Sequence, residues 1–213
     1  MFTGIVAAVG TITELESLGP DAGWRVRVDA PGFGMTDVAL GDSIAVQGAC
    51  MTVVTVEPQG FDFDVSLESL ARTVGLDVKG PVNLEKAMRL ADRVGGHLVS
   101  GHVDGVGRVM RHEAVAESRV LDIKAPAALA RYLAVKGSVT VNGVSLTINK
   151  VADVPDGCIV SLNLIPHTVA VTTLKDLIPG AGVNLEVDMI ARYLDRMRAV
   201  DAAARHPEPQ GAD

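Results

Sequence analysis

The chain has 213 residues, 48% of them hydrophobic and 3% aromatic, with a net charge of −7. An acidic surface repels polyanions and anionic lipid on average, so neither nucleic acid nor a membrane is expected as a partner, and so few aromatics offer no platform for stacking single-stranded bases. No apolar run reaches the length that spans a bilayer.

The chain opens on MFTGIV (residues 1–6), a strand-like run with a glycine inside it and no charged stretch before it. This predicts no secretory leader, a cytoplasmic protein, and free thiols at Cys50 and Cys158. Short runs rich in Val, Ile and Thr follow at residues 5–15, 24–30, 43–57 and 61–67, then at 106–113, 119–125, 138–151 and 158–165. Their alternation, with turn residues between them, predicts antiparallel strands. About six strands per half suit a small closed barrel, which removes sheet edges. Helical patterning is sparse. Residues 84–94 and 126–135 are short candidates, the second with Pro126 suited to a first turn. Ile190, Tyr193, Leu194, Met197 and Val200 recur at three- and four-residue steps. They predict a C-terminal helix with one apolar stripe, which either packs on its own barrel or joins copies of the chain. The tail HPEPQGAD (206–213) is expected to be disordered.

The chain repeats itself. FTGIV at 2–6 aligns with VSGHV at 99–103, GDSIAVQGACMTV at 41–53 with KGSVTVNGVSLTI at 136–148, DVSLESL at 64–70 with NLIPHTV at 163–169, and VNLE recurs at 82–85 and 183–186. Four echoes in one order, at offsets that drift only as loop insertions would cause, indicate a duplicated domain rather than a solenoid. The expected division is one barrel over 1–97, a second over 98–187, a helix over 188–205 and the tail.

Within this alignment Cys50 faces Ser145, Ile5 faces His102, Glu68 faces His167, Gly41 faces Lys136 and Ala87 faces Asp188, while Thr52 and Thr147 agree. Cys50 reads as a nucleophile or as a small buried hydrophobe; a hydroxyl at its counterpart favours a hydrogen-bonding or weakly nucleophilic group over an obligatory thiolate. His97 and His102 have odd spacing, so on one strand they would point to opposite faces, and no third ligand is in register for a metal. Asp188 fits the N-cap of the C-terminal helix. Lys136 reads as a solvated lysine.

MFTGIV, GGHLVSGHVDG, VNGVSLT, IPHT and the paired VNLE, taken together, resemble the riboflavin synthase family over residues 1–198. The resemblance implies a mainly β fold of two homologous six-stranded antiparallel Greek-key barrels plus a C-terminal α-helix, and a homotrimer built around those helices. It implies dismutation of two molecules of 6,7-dimethyl-8-ribityllumazine. A four-carbon unit passes from one to the other, giving riboflavin and 5-amino-6-ribitylamino-pyrimidinedione without cofactor or metal. MFTGIV is then expected to be the first strand of the first barrel, with its backbone at a ligand. One ligand is expected to meet Cys50, Met51, Thr52, Asp64, Val65, Ser66, Leu67, Glu68, Ser69, Gly101, His102 and Val103. The other is expected to meet Gly4, Ile5, Val6, Lys136, Ser145, Leu146, Thr147, Leu164, Ile165, Pro166, His167, Thr168 and Val169, with Phe2 and Ser43 lining the reaction region. Cys50, His102, Ser145 and Asp188 are the implied catalytic residues; His102 is the candidate acid–base group, because imidazole moves protons near neutral pH. Ser69 stands where threonine is common in the family, and Leu67 where proline is frequent. Lumazine synthase is a candidate partner. Two rival readings are a lumazine-binding antenna protein, which would be expected to erode one pocket, and a flavin-dependent oxidoreductase, which would need a following nucleotide-binding domain.

Overall fold

The structure is a computed structural model that describes residues 1–205, with side chains to residue 201. The tail expected to be disordered lies outside the described residues. Among the described residues, twelve strands close into two barrels. The first contains β1 (Ala8–Ser17), β2 (Trp24–Asp29), β3 (Ser43–Val46), β4 (Ala49–Glu57), β5 (Gly60–Val65) and β6 (Gly80–Lys86), in the ring order β1-β2-β5-β4-β3-β6. The second contains β7 (Gly105–Val115), β8 (Ser118–Pro126), β9 (Ser138–Val141), β10 (Val144–Val154), β11 (Gly157–Leu164) and β12 (Gly182–Val187), in the equivalent ring order. All pairings are antiparallel, and the order is that of a Greek key. Helices are α1 (Leu67–Arg72), α2 (Ala127–Ala130), α3 (Pro166–Val171) and α4 (Met189–Arg205).

Each strand turns one set of side chains inward. In the first barrel Ile12, Val26, Val28, Ile44, Val53, Phe61, Phe63, Val82 and Leu84 are buried together; in the second, Val109, Leu121, Ile123, Val139, Ile148, Val160, Leu162, Val183 and Leu185 are. The register slips between Ile12 and Glu14 and between Val53 and Thr55, and again at the matching places, Val109/Arg111 and Ile148/Lys150. Such bulges sharpen the local twist and let six strands curl into a ring. The duplication therefore extends to the irregularities.

Three expectations fail locally. Residues 84–94 form no helix: Leu84 and Glu85 lie in β6, which pairs with both β1 and β3 and closes the first barrel. That ladder overrides the helical pattern, and residues 87–96 continue as an irregular segment. Residues 126–135 keep only the short α2. MFTGIV is not a barrel strand. It runs between the two barrels as a strap, and β1 begins at Ala8.

A pseudo-two-fold axis relates the barrels. Phe2 and Val99, equivalent in the repeat, pair with each other through Phe2 N–H to Val99 O at 2.7 Å and Val99 N–H to Phe2 O at 3.0 Å. Gly48 and Gly143 also meet; a Cβ on Gly48 would lie 2.6 Å from Gly143 N, and one on Gly143 would lie 2.9 Å from Gly48 N. Asn83 accepts from Thr173 N–H and donates to Asn142 O, and its counterpart Asn184 accepts from Val74 N–H and donates to Gln47 O. Each buried amide thus joins the opposite half with both ends satisfied.

The helix α4 is fixed to the second barrel by its polar side. Tyr132 donates to Asp195 at 3.1 Å, Arg131 pairs with Asp195 and Arg192 with Asp104, both at 2.6 Å. Its apolar stripe faces away: Ile190, Tyr193 and Met197 are 61%, 69% and 64% exposed. No helix among the described residues is long and apolar enough to cross a membrane.

Candidate active site

The two straps wall two cavities. Strap one, residues 2–6, leaves the first half and lies on β10: Ser145 N–H donates to Gly4 O at 2.8 Å. Strap two, residues 99–103, lies on β4: Cys50 N–H donates to Gly101 O, also at 2.8 Å. Both contacts need glycine. Gly4 and Gly101 have φ of 75° and 80°, and a Cβ there would stand 2.6 Å from Ser145 Cβ or 2.7 Å from Cys50 Cβ.

The first cavity, of about 250 Å³, is lined by Ala49, Cys50, Met51, Glu68, Ser69, Arg72, Thr73, Gly101, His102 and Val103. The second, of about 110 Å³, is lined by Gly4, Ile5, Val6, Val144, Ser145, His167, Thr168, Val171 and Thr172. In each, one wall is a strap, one a β4 or β10 strand start and one a short helix. The first helix is started by Ser66, whose hydroxyl accepts from Ser69 N–H at 3.1 Å; the second starts at Pro166, whose fixed φ suits that place. Both helices end alike: Thr73 Oγ1 donates to Ser69 O and Thr172 Oγ1 to Thr168 O, each at 2.7 Å.

Several expected residues stand apart from these cavities. Asp64 is on the outer surface, paired with Arg25 at 2.8 Å, and Val65 and Leu164 are buried in the barrel cores. Leu146 is also a core residue. Ser66, Leu67, Ile165 and Pro166 are exposed at the helix starts, and Val169 packs against the second core. Thr52 and Thr147 are exposed on their strands. Phe2 is fully buried with Ala45, Val99 and Cys50, behind the first cavity rather than lining it. Ser43 lines a separate groove with Asp37, Asp42, Lys86 and Arg89. Lys136 lies in an exposed turn with φ of 68°, matching the φ of 87° at Gly41. Asp188 caps α4, its Oδ1 accepting from Ile190 N–H at 2.9 Å.

Sequence reasoning missed Arg72, Thr73, Val171 and Thr172, which extend the helical walls. It weighed His97 only as a metal ligand and passed over Glu85 and Glu186, and all three are buried titratable groups. His97 Nδ1 lies 2.8 Å from Ser145 Oγ, and its Nε2 has no partner among the described residues. Burial holds its pKa below the ordinary value, opposed by the charge of Asp188. Glu85 accepts from Thr3 N–H, Thr3 Oγ1 and Gly4 N–H at 2.7, 2.6 and 2.9 Å. Glu186 accepts from Ser100 N–H, Ser100 Oγ and Gly101 N–H at 2.7, 2.6 and 3.0 Å. Burial pushes both carboxyls above the usual range, and these donors oppose it. The identical Glu in both VNLE motifs was the signal that could have marked them.

Two small barrels, each with a cavity of the same construction, define a duplicated ligand-binding protein, and the lumazine binding domain matches this chain twice, over residues 3–87 and 100–188. Riboflavin synthase of Photobacterium phosphoreum is 45% identical over 205 residues, covering 94% of this chain and 90% of the relative. Riboflavin synthase of Mycobacterium tuberculosis is 43% identical over 201 residues, covering 92% and 98%. The chain belongs to the riboflavin synthase family. Among solved structures, that of LumP complexed with riboflavin is similar with a TM-score of 0.76 at 28% identity, covering 88% of this chain and 99% of LumP.

Proposed function

We propose that the chain converts two molecules of 6,7-dimethyl-8-ribityllumazine into riboflavin and 5-amino-6-ribitylamino-pyrimidinedione by transfer of a four-carbon unit. The observation that carries this reading is the pair of related cavities in one chain. A reaction that uses one compound as both donor and acceptor needs two related sites, and fixing both molecules replaces a bimolecular encounter with an effectively unimolecular step. The sites are also unequal, as donor and acceptor require. The first presents Cys50, His102, Glu68 and Arg72; the second presents Ser145, Ile5, His167 and Val171. His102 is exposed at the first cavity, free to exchange protons with a bound ligand. Ser145, beside His97, supplies a hydroxyl at the second, and Asp188 acts there through its charge on His97.

Cys50 and Ser145 line separate cavities, so the two reacting ligands are brought together by assembly: a first cavity of one subunit faces a second cavity of its neighbour. The outward stripe of α4 supports a homotrimer joined along those helices. The division of the chain at residues 97/98 and 187/188 goes with this reading. Two free thiols, Cys50 and Cys158, fit the cytoplasm, and lumazine synthase is a candidate partner, testable by co-sedimentation.

The test is incubation of the purified protein with the lumazine alone in the presence of a chelator, followed by absorbance. Riboflavin should form over many turnovers. Stoichiometric binding without product would make the chain an antenna-type binding protein.

A further inference from the structure

We propose that Glu85 and Glu186 are crossed positioning residues: each carboxylate, carried by one barrel, sets the ligand site of the other. This rests on the reading of the two cavities as the ligand sites. Glu85 lies on β6 of the first barrel and fastens strap one, which walls the second cavity beside Ser145. Glu186 lies on β12 of the second barrel and fastens strap two, which walls the first cavity beside Cys50. Both are buried, with 8% and 2% of their surface exposed, and each spends both oxygens on three donors of its strap.

The geometry gives the carboxylate a definite task. Two successive strap N–H groups point at its two oxygens, which leaves the glycine carbonyl, Gly4 O or Gly101 O, directed at the opposite barrel. The strap is then a rigid bracket with one face on each half. A glutamine at either position replaces one acceptor oxygen by an NH₂ group. Two donors then oppose each other at the Thr3–Gly4 or Ser100–Gly101 peptide, and the strap must rotate or lift. The cavity disturbed is the distant one, while the barrel that carries the mutation retains its own core, which the Glu side chain does not enter.

Cys50 makes the test site-resolved. It lines the first cavity and is half-buried, whereas Cys158 is buried in the second core. Riboflavin should protect Cys50 from alkylation in the otherwise unaltered protein. A thiol introduced by Ser145→Cys in a Cys50→Ser background reports the second cavity in the same way. Glu186→Gln should raise the riboflavin concentration for half-protection of Cys50 by about tenfold or more, with protection at position 145 changed less than about threefold; Glu85→Gln should do the reverse. Should either variant fail to fold by circular dichroism, Ser100→Ala and Thr3→Val remove one donor from the strap side, and the same crossed pattern is expected. Loss confined to the cavity of the mutated barrel, or equal loss at both, overturns the proposal. If riboflavin protects neither thiol before any Glu is changed, the reading of the cavities as ligand sites fails instead, and the proposal falls with it.

Discussion

Replacing Gly4 by alanine tests whether the strap is held as closely as its geometry requires. Two costs add at this position. The backbone has φ of 75°, where a Cβ costs about 1–2 kcal/mol. The new methyl would also stand 2.6 Å from Ser145 Cβ and 2.9 Å from Ser145 N, and such overpacking costs about 1–3 kcal/mol. Gly4→Ala should therefore destabilise by about 2–5 kcal/mol. Gly41→Ala is the control. Gly41 has φ of 87°, but a Cβ there meets nothing within 4 Å, so only the backbone cost of about 1–2 kcal/mol applies. The difference between the two variants isolates the contact between strap one and β10. Urea unfolding measures it, provided the slope of free energy against urea is unchanged. The strap can also detach while the barrels stay folded, which would limit the loss seen in global unfolding. In that event riboflavin affinity falls although the midpoint hardly moves. Equal stability of Gly4→Ala and Gly41→Ala, with riboflavin bound normally by both, would refute the close approach of Gly4 to Ser145.

Deleting residues 189–213 should leave folded barrels that sediment as monomers, because the apolar stripe of α4 is exposed and neither core depends on it; activity should fall with assembly, and an intact trimer would refute this. Cys50→Ser should retain binding with turnover only partly reduced, whereas Cys50→Ala should lower kcat more than it raises KM, the pattern of an interaction made chiefly in the transition state. His102→Gln should slow turnover while leaving riboflavin affinity nearly unchanged, and full activity in both Cys50→Ala and His102→Gln would leave catalysis to proximity and the ligand's own acidity. The pKa of His97 is depressed in the fold, so the unfolded chain takes up that proton first; the stability His97 contributes is present above its ordinary pKa of 6.5 and lost as pH falls through the folded value. His97→Gln should flatten that part of the stability–pH curve relative to wild type, and superimposable curves would refute the buried, neutral imidazole.

Much of the barrel architecture was legible because its signals are local. Alternating apolar residues specify which face of each strand is buried, and the echoes at 41–53 and 136–148 carry the same turn chemistry: Gln47 and Asn142 have φ of 51° and 49°, and Gly48 and Gly143 follow them at 87° and 80°. The misread segments are those whose partners are remote in sequence. Residues 84–94 carry a helical pattern, yet Leu84 pairs with Ala8 and Val46, contacts that no local window contains. MFTGIV looks like a strand and does form backbone hydrogen bonds, but to Met88, His97, Val99 and Ser145.

The same distance explains why the site was read incompletely. Comparing the two halves brings out positions where they differ, so it raised Cys50 against Ser145 and Ile5 against His102. It is silent about what holds both sites in the same way, and Glu85 and Glu186 are the same residue type, both buried, with the same pattern of three donors. It is equally silent about His97, because the alignment of the halves begins at Phe2 and Val99. A duplicated barrel could have kept each strap on its own half, with two independent sites. Here the glycine carbonyl of each strap accepts from the other half, and the axis passes between Phe2 and Val99. Neither barrel alone then contains a finished cavity: the first needs Gly101, His102 and Val103 from the strap tied to Glu186, and the second needs Gly4, Ile5 and Val6 from the strap tied to Glu85. Duplication followed by divergence of the lining residues gives two unequal sites, and the exchange of straps couples their geometry, so that an expressed single barrel should fold without forming a cavity of the shape described here.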